Sequence, residues 1–167
     1  MALDAKKARE LLRYDPLTGE FRWNPRSGRQ GSWCNLDRPA GHISKQSGYL
    51  TIRIDKKLHQ AHRLAWLLHY GEWPPQHIDH INGLRLDNRI GNLRSVPNAI
   101  NRQNMRSPRA DSQTRVQGVT LDKRRGTFFA RIRLNGRSIH LGSFAHADEA
   151  HVAYINAKRQ LHAGCTI

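Results

Sequence analysis

Cysteine is almost missing from this chain: Cys34 and Cys165 stand far apart with no paired spacing. That excludes a disulfide framework and makes a cysteine-based zinc site a poor expectation. No apolar run approaches the length that spans a bilayer, and the opening "MALDAKKARELLRY" has neither the apolar stretch nor the cleavage site of a secretory signal. The expectation is a soluble, cytoplasmic protein with no membrane partner. Acidic residues are scarce, 13 Asp plus Glu against 28 Lys plus Arg, for a formal net charge of +15. Such a field attracts polyanions, and nucleic acid is the first partner to consider. Apolar residues make up 38% of the 167, so any core is small.

The positive charge is uneven. Residues 1–101 carry 16 basic and 9 acidic groups, residues 102–143 carry 10 and 2, and the remainder balances. The densest block opens with "RQNMRSPRADSQTRVQG", which is polar and aperiodic, and reads as a basic linker. It divides the chain into a first domain at 1–105, a linker at 106–116 and a second domain at 117–164.

In the first domain, "LDAKKARELLRY" has helical spacing, and "YDPLTGEFRW" offers turn signals before a strand-like stretch. "SGYLTIRI" alternates, with Tyr49, Thr51 and Arg53 on one side and Leu50, Ile52 and Ile54 on the other. A helix follows from Ala61 to His69, stopped by Gly71 and Pro74. "HIDHING" then reads as a short strand entering an Asn-Gly turn. "NLRSV" reads as a second strand, and Pro97 opens a helix through about Met105. The second domain shows three β patterns, "GVTLD", "GTFFARIRLNG" and "RSIHLGSF", and then an amphipathic helix with Asp148 and Glu149 in its first turn. The fold class is therefore α+β, the second part being a small three-stranded antiparallel sheet packed on one helix.

"HIDHINGLRLDNRIGNLRSVPNAIN" (77–101) carries the chemistry. Hydrolysing a phosphodiester needs a base for water and a divalent ion to neutralise the phosphate and the leaving oxygen. Asp79 and His80 supply a hard oxygen ligand and a base side by side, and the protein's positive field favours a neutral imidazole. An ordinary strand points these two to opposite faces, so their joint use needs a twist or a strand end.

Together "HRLAWLLHYGEWPPQHIDHINGLRLDNRIGNLRSVPNAINRQN", "YDPLTGEFRW" and "SGYLTIRI" resemble the HNH endonucleases, in the ββα-metal subgroup of phage and intron-encoded nicking or homing enzymes. The resemblance covers about residues 10–105. It implies that His80 is the general base, that Asp79 and Asn101 bind one Mg²⁺ or Mn²⁺, and that Asn92 fixes the loop that orients the histidine. It points to Asn104 as a further polar contact and includes His62 without giving it chemistry. Asn stands at the third motif position where other branches have His, which suits one hard ion and disfavours zinc. Asn82 and Asn88 are turn residues on this reading, and His77 is a bystander. Singly, Asn-Gly and Asp-Asn pairs are ordinary turn formers. The ordered set of Asp-His, "DNR", "GNLR" and "NxxN" is what turn chemistry alone does not produce. A rival zinc set, His59, His62, His77 and His80, would be made of histidine alone, which is rare in structural sites.

In the second domain, period two places Phe128, Ala130, Ile132 and Leu134 on one face and Phe129, Arg131 and Arg133 on the other. Ile139 and Leu141 should face the core, with Ser138 and His140 joining the arginines. "QGVTLDKRRGTFFARIRLNGRSIHLGSFAHADEAHVAYINAKRQLHAG" resembles the apetala-two/ethylene-response-factor DNA-binding domain. That resemblance implies a sheet reading the major groove through Thr120, Arg131, Arg133, Ser138 and His140, with Lys123, Arg124 and Arg125 near phosphates. His140 replaces the tryptophan common there, and the first strand lacks the family's arginines. The tryptophans, Trp23, Trp33, Trp66 and Trp73, are read as core or loop anchors.

The resulting expectation is a metal-dependent endonuclease that nicks or cuts double-stranded DNA, its oligomeric state open with a monomer favoured, without a small-molecule cofactor, in a bacterial or phage-infected cell. A sequence-specific DNA-binding regulator with a non-catalytic HNH fold is the alternative.

Overall fold

The structure, a computed structural model, describes residues 3–25, 38–108 and 111–167. Trp33 and Cys34 lie outside the described residues. The chain forms two compact units, Met1–Asn98 and Ala99–Ile167. The α+β class holds in both, with small antiparallel sheets throughout.

The first unit opens with helix α1 (Ala5–Leu11), capped by the Asp4 carboxylate, which accepts from Lys7 N at 2.8 Å. The helix ends at Leu11, one residue short of the Leu12 that its apolar spacing includes. Leu12 begins β1 (Leu12–Tyr14), pairs with Trp23 of β2 (Phe21–Trp23) and enters the core, so strand pairing and burial override helical propensity.

Strands β3 (His42–Ile43), β4 (Leu50–Ile54) and β5 (Lys57–Gln60) form a second sheet. Neither β3 nor β5 is evident from the sequence. The β4–β5 hairpin turns on Asp55 and Lys56, both at positive φ, where Gly or Asn would have signalled it. Thr51, expected opposite the apolar residues of β4, is buried because its hydroxyl donates to His42 O at 3.1 Å.

Helix α2 (Ala61–Tyr70) follows directly. It buries Ala61, Leu64, Ala65 and Leu68, the stripe that 3.6-residue spacing lines up, against Ala8, Ile52, Ile54 and Phe21. Arg9 of α1 donates to Leu68 O at 2.9 Å, satisfying a carbonyl near the end of α2. Trp23, Trp66 and Trp73 pack around this core, and Trp73 Nε1 donates to Leu3 O.

Strands β6 (His77–His80) and β7 (Leu93–Val96) form an antiparallel ribbon closed by a long loop and the 3-10 turn Ile90–Asn92. Helix α3 (Asn98–Gln103) comes next, immediately after Pro97. The order strand, loop, strand, helix is the one the sequence pattern suggests.

In the second unit, β8 (Val119–Asp122), β9 (Thr127–Leu134) and β10 (Arg137–Phe144) make a sheet of order β10-β9-β8, packed on α4 (Ala147–Leu161). Val119, Ala130, Ile132, Ala150 and Tyr154 form its core. A bulge between His140 and Gly142 leaves Leu141 without a cross-strand partner while its side chain still packs on this core. Ile139 departs from expectation: it is 37% exposed and lies outside the core cluster, whereas Leu141 beyond the bulge reaches it. Residues 103–106 are tied into the same unit. Lys158, itself buried, donates to Met105 O, Gln103 Oε1 accepts from Gly164 N at 3.0 Å, and Arg106 reaches Thr166.

Candidate active site

Strand β6 is buried from Ile78 onward, so Asp79 and His80 are both removed from solvent, at 6% and 5% exposure. Their surroundings differ as strand alternation requires. Asp79 sits opposite Arg94 on β7, which donates to Asp79 Oδ2 from Nε at 2.8 Å and from the terminal nitrogen at 2.7 Å. This is a charge-assisted, two-point pair. His80, the last residue of β6, sits among aromatic rings instead: its ring centroid is 5.8 Å from Tyr49 and 5.2 Å from His62.

Burial holds the His80 imidazole below its ordinary pKa. Asn88, Asp79 and Asp87 oppose that shift, and Arg85 adds to it. The neutral form expected from the protein's charge is thus favoured, but chiefly by desolvation.

The loop that leaves His80 is tightly made. Gly83 N donates to His80 O at 2.8 Å, and Asn82 Oδ1 accepts from Leu84 N at 2.9 Å. Asn82 Nδ2 reaches Asp87. Asp87 is gripped by the Arg89 guanidinium through Nε at 2.8 Å and a terminal nitrogen at 2.6 Å, which lowers its pKa to about 2.

Asn92 closes the loop from the inside. Its Oδ1 accepts from Asn82 N at 2.9 Å, its Nδ2 donates to Asp87 O at 2.9 Å, and its own carbonyl accepts from Ile81 N. Both ends of its side chain, and its carbonyl, are spent on residues 81–87 of the loop beyond the histidine. Arg85 lies over the Tyr49 ring at 5.3 Å and donates to Ser47 O, so the "SGY" segment is fastened to the same loop.

His62, on α2, is 5% exposed, and its Nδ1 has no hydrogen-bond partner among the described residues. Burial, reinforced by His80 and Arg63, pushes its pKa down to about 3, so it is neutral at any ordinary pH. His77 is exposed at the start of β6, and His59 stacks on Trp73 at 5.8 Å. Among the described residues no three His, Cys, Asp or Glu side chains gather as a metal-binding group, so the four-histidine zinc set is not assembled. The oxygens of Asp79 and of asparagine suit a different ion, a hard cation that keeps several waters and takes one carboxylate. The pair with Arg94 does not by itself exhaust a carboxylate, which offers about four lone-pair directions.

Asn101 and Asn104 belong to the second unit. Asn101, on α3, is half-buried, and its carbonyl accepts from Asn104 N at 3.1 Å. Asn104 is buried, and its Oδ1 accepts from the Thr166 hydroxyl, a structural tie that the sequence reading did not foresee.

Asn88 was the residue most underrated by turn chemistry. It is 1% exposed, and its carboxamide lies toward the His80 ring. The only signal in the sequence was its place within "DNR".

On the second unit, β-register pairs Arg131 with His140, Arg133 with Ser138, and Thr120 with Phe129. These six residues therefore share one face. Arg131, Arg133, Ser138 and His140 are exposed, and Arg131 lies over Phe129 at 5.5 Å. Lys123, Arg124 and Arg125 are exposed in the β8–β9 turn, where Asp122 Oδ1 accepts from the backbone of both arginines.

Residues 59–103 match the model of the HNH endonuclease family. The match spans α2, the β6–β7 ribbon, the loop between its strands and α3. The match marks this segment as an HNH endonuclease domain; enzymes of that family are phosphodiester hydrolases that act on DNA and generally use a divalent metal. No curated protein and no solved structure matches the chain. Among the described residues no helix is long and apolar enough to cross a membrane.

Proposed function

We propose that the protein is a two-module, metal-dependent endonuclease of double-stranded DNA, with His80 as general base. The reading rests most on one observation: a buried imidazole at a strand end, held below its ordinary pKa by burial, adjacent in sequence to a buried carboxylate and followed by a loop that Asn92 braces. His80 accepts a proton from the attacking water. Asn92 touches no substrate and keeps the loop, and so the imidazole, in place. Asp79, with Asn101 as the HNH resemblance implies, would hold one Mg²⁺ or Mn²⁺, which would supply charge neutralisation at the phosphate and the leaving oxygen.

The second unit delivers the nuclease to DNA through the face bearing Thr120, Arg131, Arg133, Ser138 and His140, with Lys123, Arg124 and Arg125 on phosphates. This is the apetala-two-like reading, supported by a three-stranded sheet on one helix with an exposed basic face. Arginine on such a sheet makes two-point contacts to guanine or phosphate.

The Asp79–Arg94 pair favours the alternative of a DNA-binding regulator with a silent nuclease fold. A cleavage assay on supercoiled and linear DNA with Mg²⁺ or Mn²⁺ and end mapping decides between them. Cleavage leaving 5′-phosphate and 3′-hydroxyl ends, abolished in His80→Ala with DNA binding retained, is the expected result. A protein that binds DNA but does not cleave it with either ion at any salt concentration overturns the enzyme reading.

A further inference from the structure

The segment "YDPLTG", residues 14–19, has no part in the mechanism above, yet nearly every residue in it has an identifiable contact. Asp15 builds the turn: its Oδ1 accepts from Leu17 N at 2.9 Å, its Oδ2 from the Thr18 hydroxyl at 2.9 Å, and its carbonyl from Gly19 N at 2.8 Å. The turn is thereby stiffened from within. Three further contacts reach across the sequence to residues 88–90. The Tyr14 hydroxyl donates to Asn88 O at 2.7 Å, and Pro16 O accepts from Ile90 N at 3.1 Å. Gly19 lies so close that a Cβ on it would stand 2.6 Å from Arg89 N and 2.7 Å from Asn88 C. Only glycine permits that approach.

Asn88 in turn looks the other way, into the site. Its backbone is held by the turn while its buried side chain donates to Leu86 O at 3.2 Å. Its side chain acts on the His80 imidazole, and its Oδ1 has no hydrogen-bond partner among the described residues. A buried carboxamide oxygen left in that state has a cost, and it persists only where the surrounding chain dictates its position. The dictating chain here is the turn at 14–19.

We propose that this turn is a positioning element of the nuclease site: by clamping the backbone of residues 88–90 it sets the Asn88 carboxamide against the His80 ring. Tyr14, Gly19 and Asn88 are then positioning residues, while His80 alone of the four meets the reacting water. The inference rests on the reading of His80 as the base. It accounts for the presence of a tyrosine, a turn-forming Asp-Pro and a glycine so far upstream of the motif they serve.

The test uses the full chain on supercoiled plasmid DNA with Mg²⁺. Tyr14→Phe keeps the ring packed on Phe21, 4.8 Å away, and removes only the hydroxyl. It should lower kcat by about tenfold to a hundredfold, the range that a small misplacement near the chemistry produces, with KM for DNA unchanged and the melting temperature lowered by several degrees because Asn88 O loses its partner. Asn88→Ala should lower kcat at least as far, and the double variant no further, because both act along one path. Gly19→Ala is the harsher variant, and Tyr14→Phe stands for it if it does not fold.

A second arm needs no cleavage. In ring-labelled protein the His80 signal, assigned by its loss in His80→Ala, should shift in Tyr14→Phe and in Asn88→Ala, while those of His42 and His69 stay put. Unchanged kcat in Tyr14→Phe and Asn88→Ala, additive losses in the double variant, or a His80 signal that does not move overturns the proposal. If His80→Ala itself still cleaves, the base assignment falls instead, and the resonance arm alone decides whether the turn positions that ring.

Discussion

Replacing Asn92 by alanine removes both side-chain hydrogen bonds that brace the loop after His80, leaving Asn82 N–H and Asp87 C=O without their 2.9 Å partners. Asn92 is buried, and both bonds are partly shielded, so water replaces them imperfectly. Each orphaned group costs about 1–2 kcal/mol, or about 2–4 kcal/mol in all. That is a large share of the roughly 5–15 kcal/mol by which a domain is stable. Asn92→Asp should cost at least as much, because a carboxylate oxygen then faces the Asp87 carbonyl in place of a donor and a charge is buried. Urea unfolding should show a lower midpoint with an unchanged slope, which separates lost stability from altered compactness. Amide exchange should show where the loss falls, with Asn82 losing protection in Asn92→Ala while Ile52 and Leu64, deep in the core, keep their ranking. An Asn82 amide as protected as in the parent protein, or a stability change under about 0.5 kcal/mol, would refute the view that Asn92 holds this loop.

The remaining expectations concern other parts of the molecule. His62 is neutral in the folded protein with a pKa near 3 against an ordinary value of 6.5, so between those values the unfolded chain binds the extra proton. Stability should therefore be level above about pH 6.5 and fall as pH drops below it, by at most about 1.4 kcal/mol per unit, and His62→Leu should flatten that acid limb. An identical acid limb in the variant would contradict the assignment. Gly118→Ala should unfold the second unit readily: at φ 78° its Cβ would stand 2.1 Å from the Tyr154 ring, an overpacking and backbone cost of about 2–4 kcal/mol, seen as a lowered melting transition. A melting curve unchanged by that substitution would mean the ring can move aside. Arg131→Ala and Arg133→Ala should each weaken DNA binding and, where the lost contact is to phosphate, reduce the slope of log affinity against log salt by about 0.9. Affinity and slope both unaltered in the two variants would exclude the sheet face from the DNA interface.

Local patterning carried much of the fold into view. Apolar spacing marked α2 and α4, alternation marked β4 and β9, and Pro97 and the Asn82-Gly83 pair marked the ends of the ribbon that holds Asp79 and His80. What escaped was set by contacts distant in sequence. Strand β5 hides behind a turn of Asp55 and Lys56 that holds positive φ without glycine or asparagine, and Leu12 leaves its helix to pair with Trp23. The bulge at Leu141 shifts the register so that Phe144 pairs with Phe128, which alternation cannot anticipate.

The site divides in the same way. The identity of the chemical groups, an aspartate beside a histidine and a set of asparagines at fixed intervals, was legible because it is written in neighbouring residues, and so was the positive field that favours DNA. Environment was not. That Asp79 is paired with Arg94, that His80 is neutral mainly through burial beside His62 and Tyr49, and that Asn88 is buried against it rather than merely turning the chain, all depend on desolvation and on contacts made across many intervening residues. Sequence by itself determined which groups this protein has to work with. Only the tertiary structure decided their surroundings, because burial and pairing belong to the packed chain and to no local stretch of it.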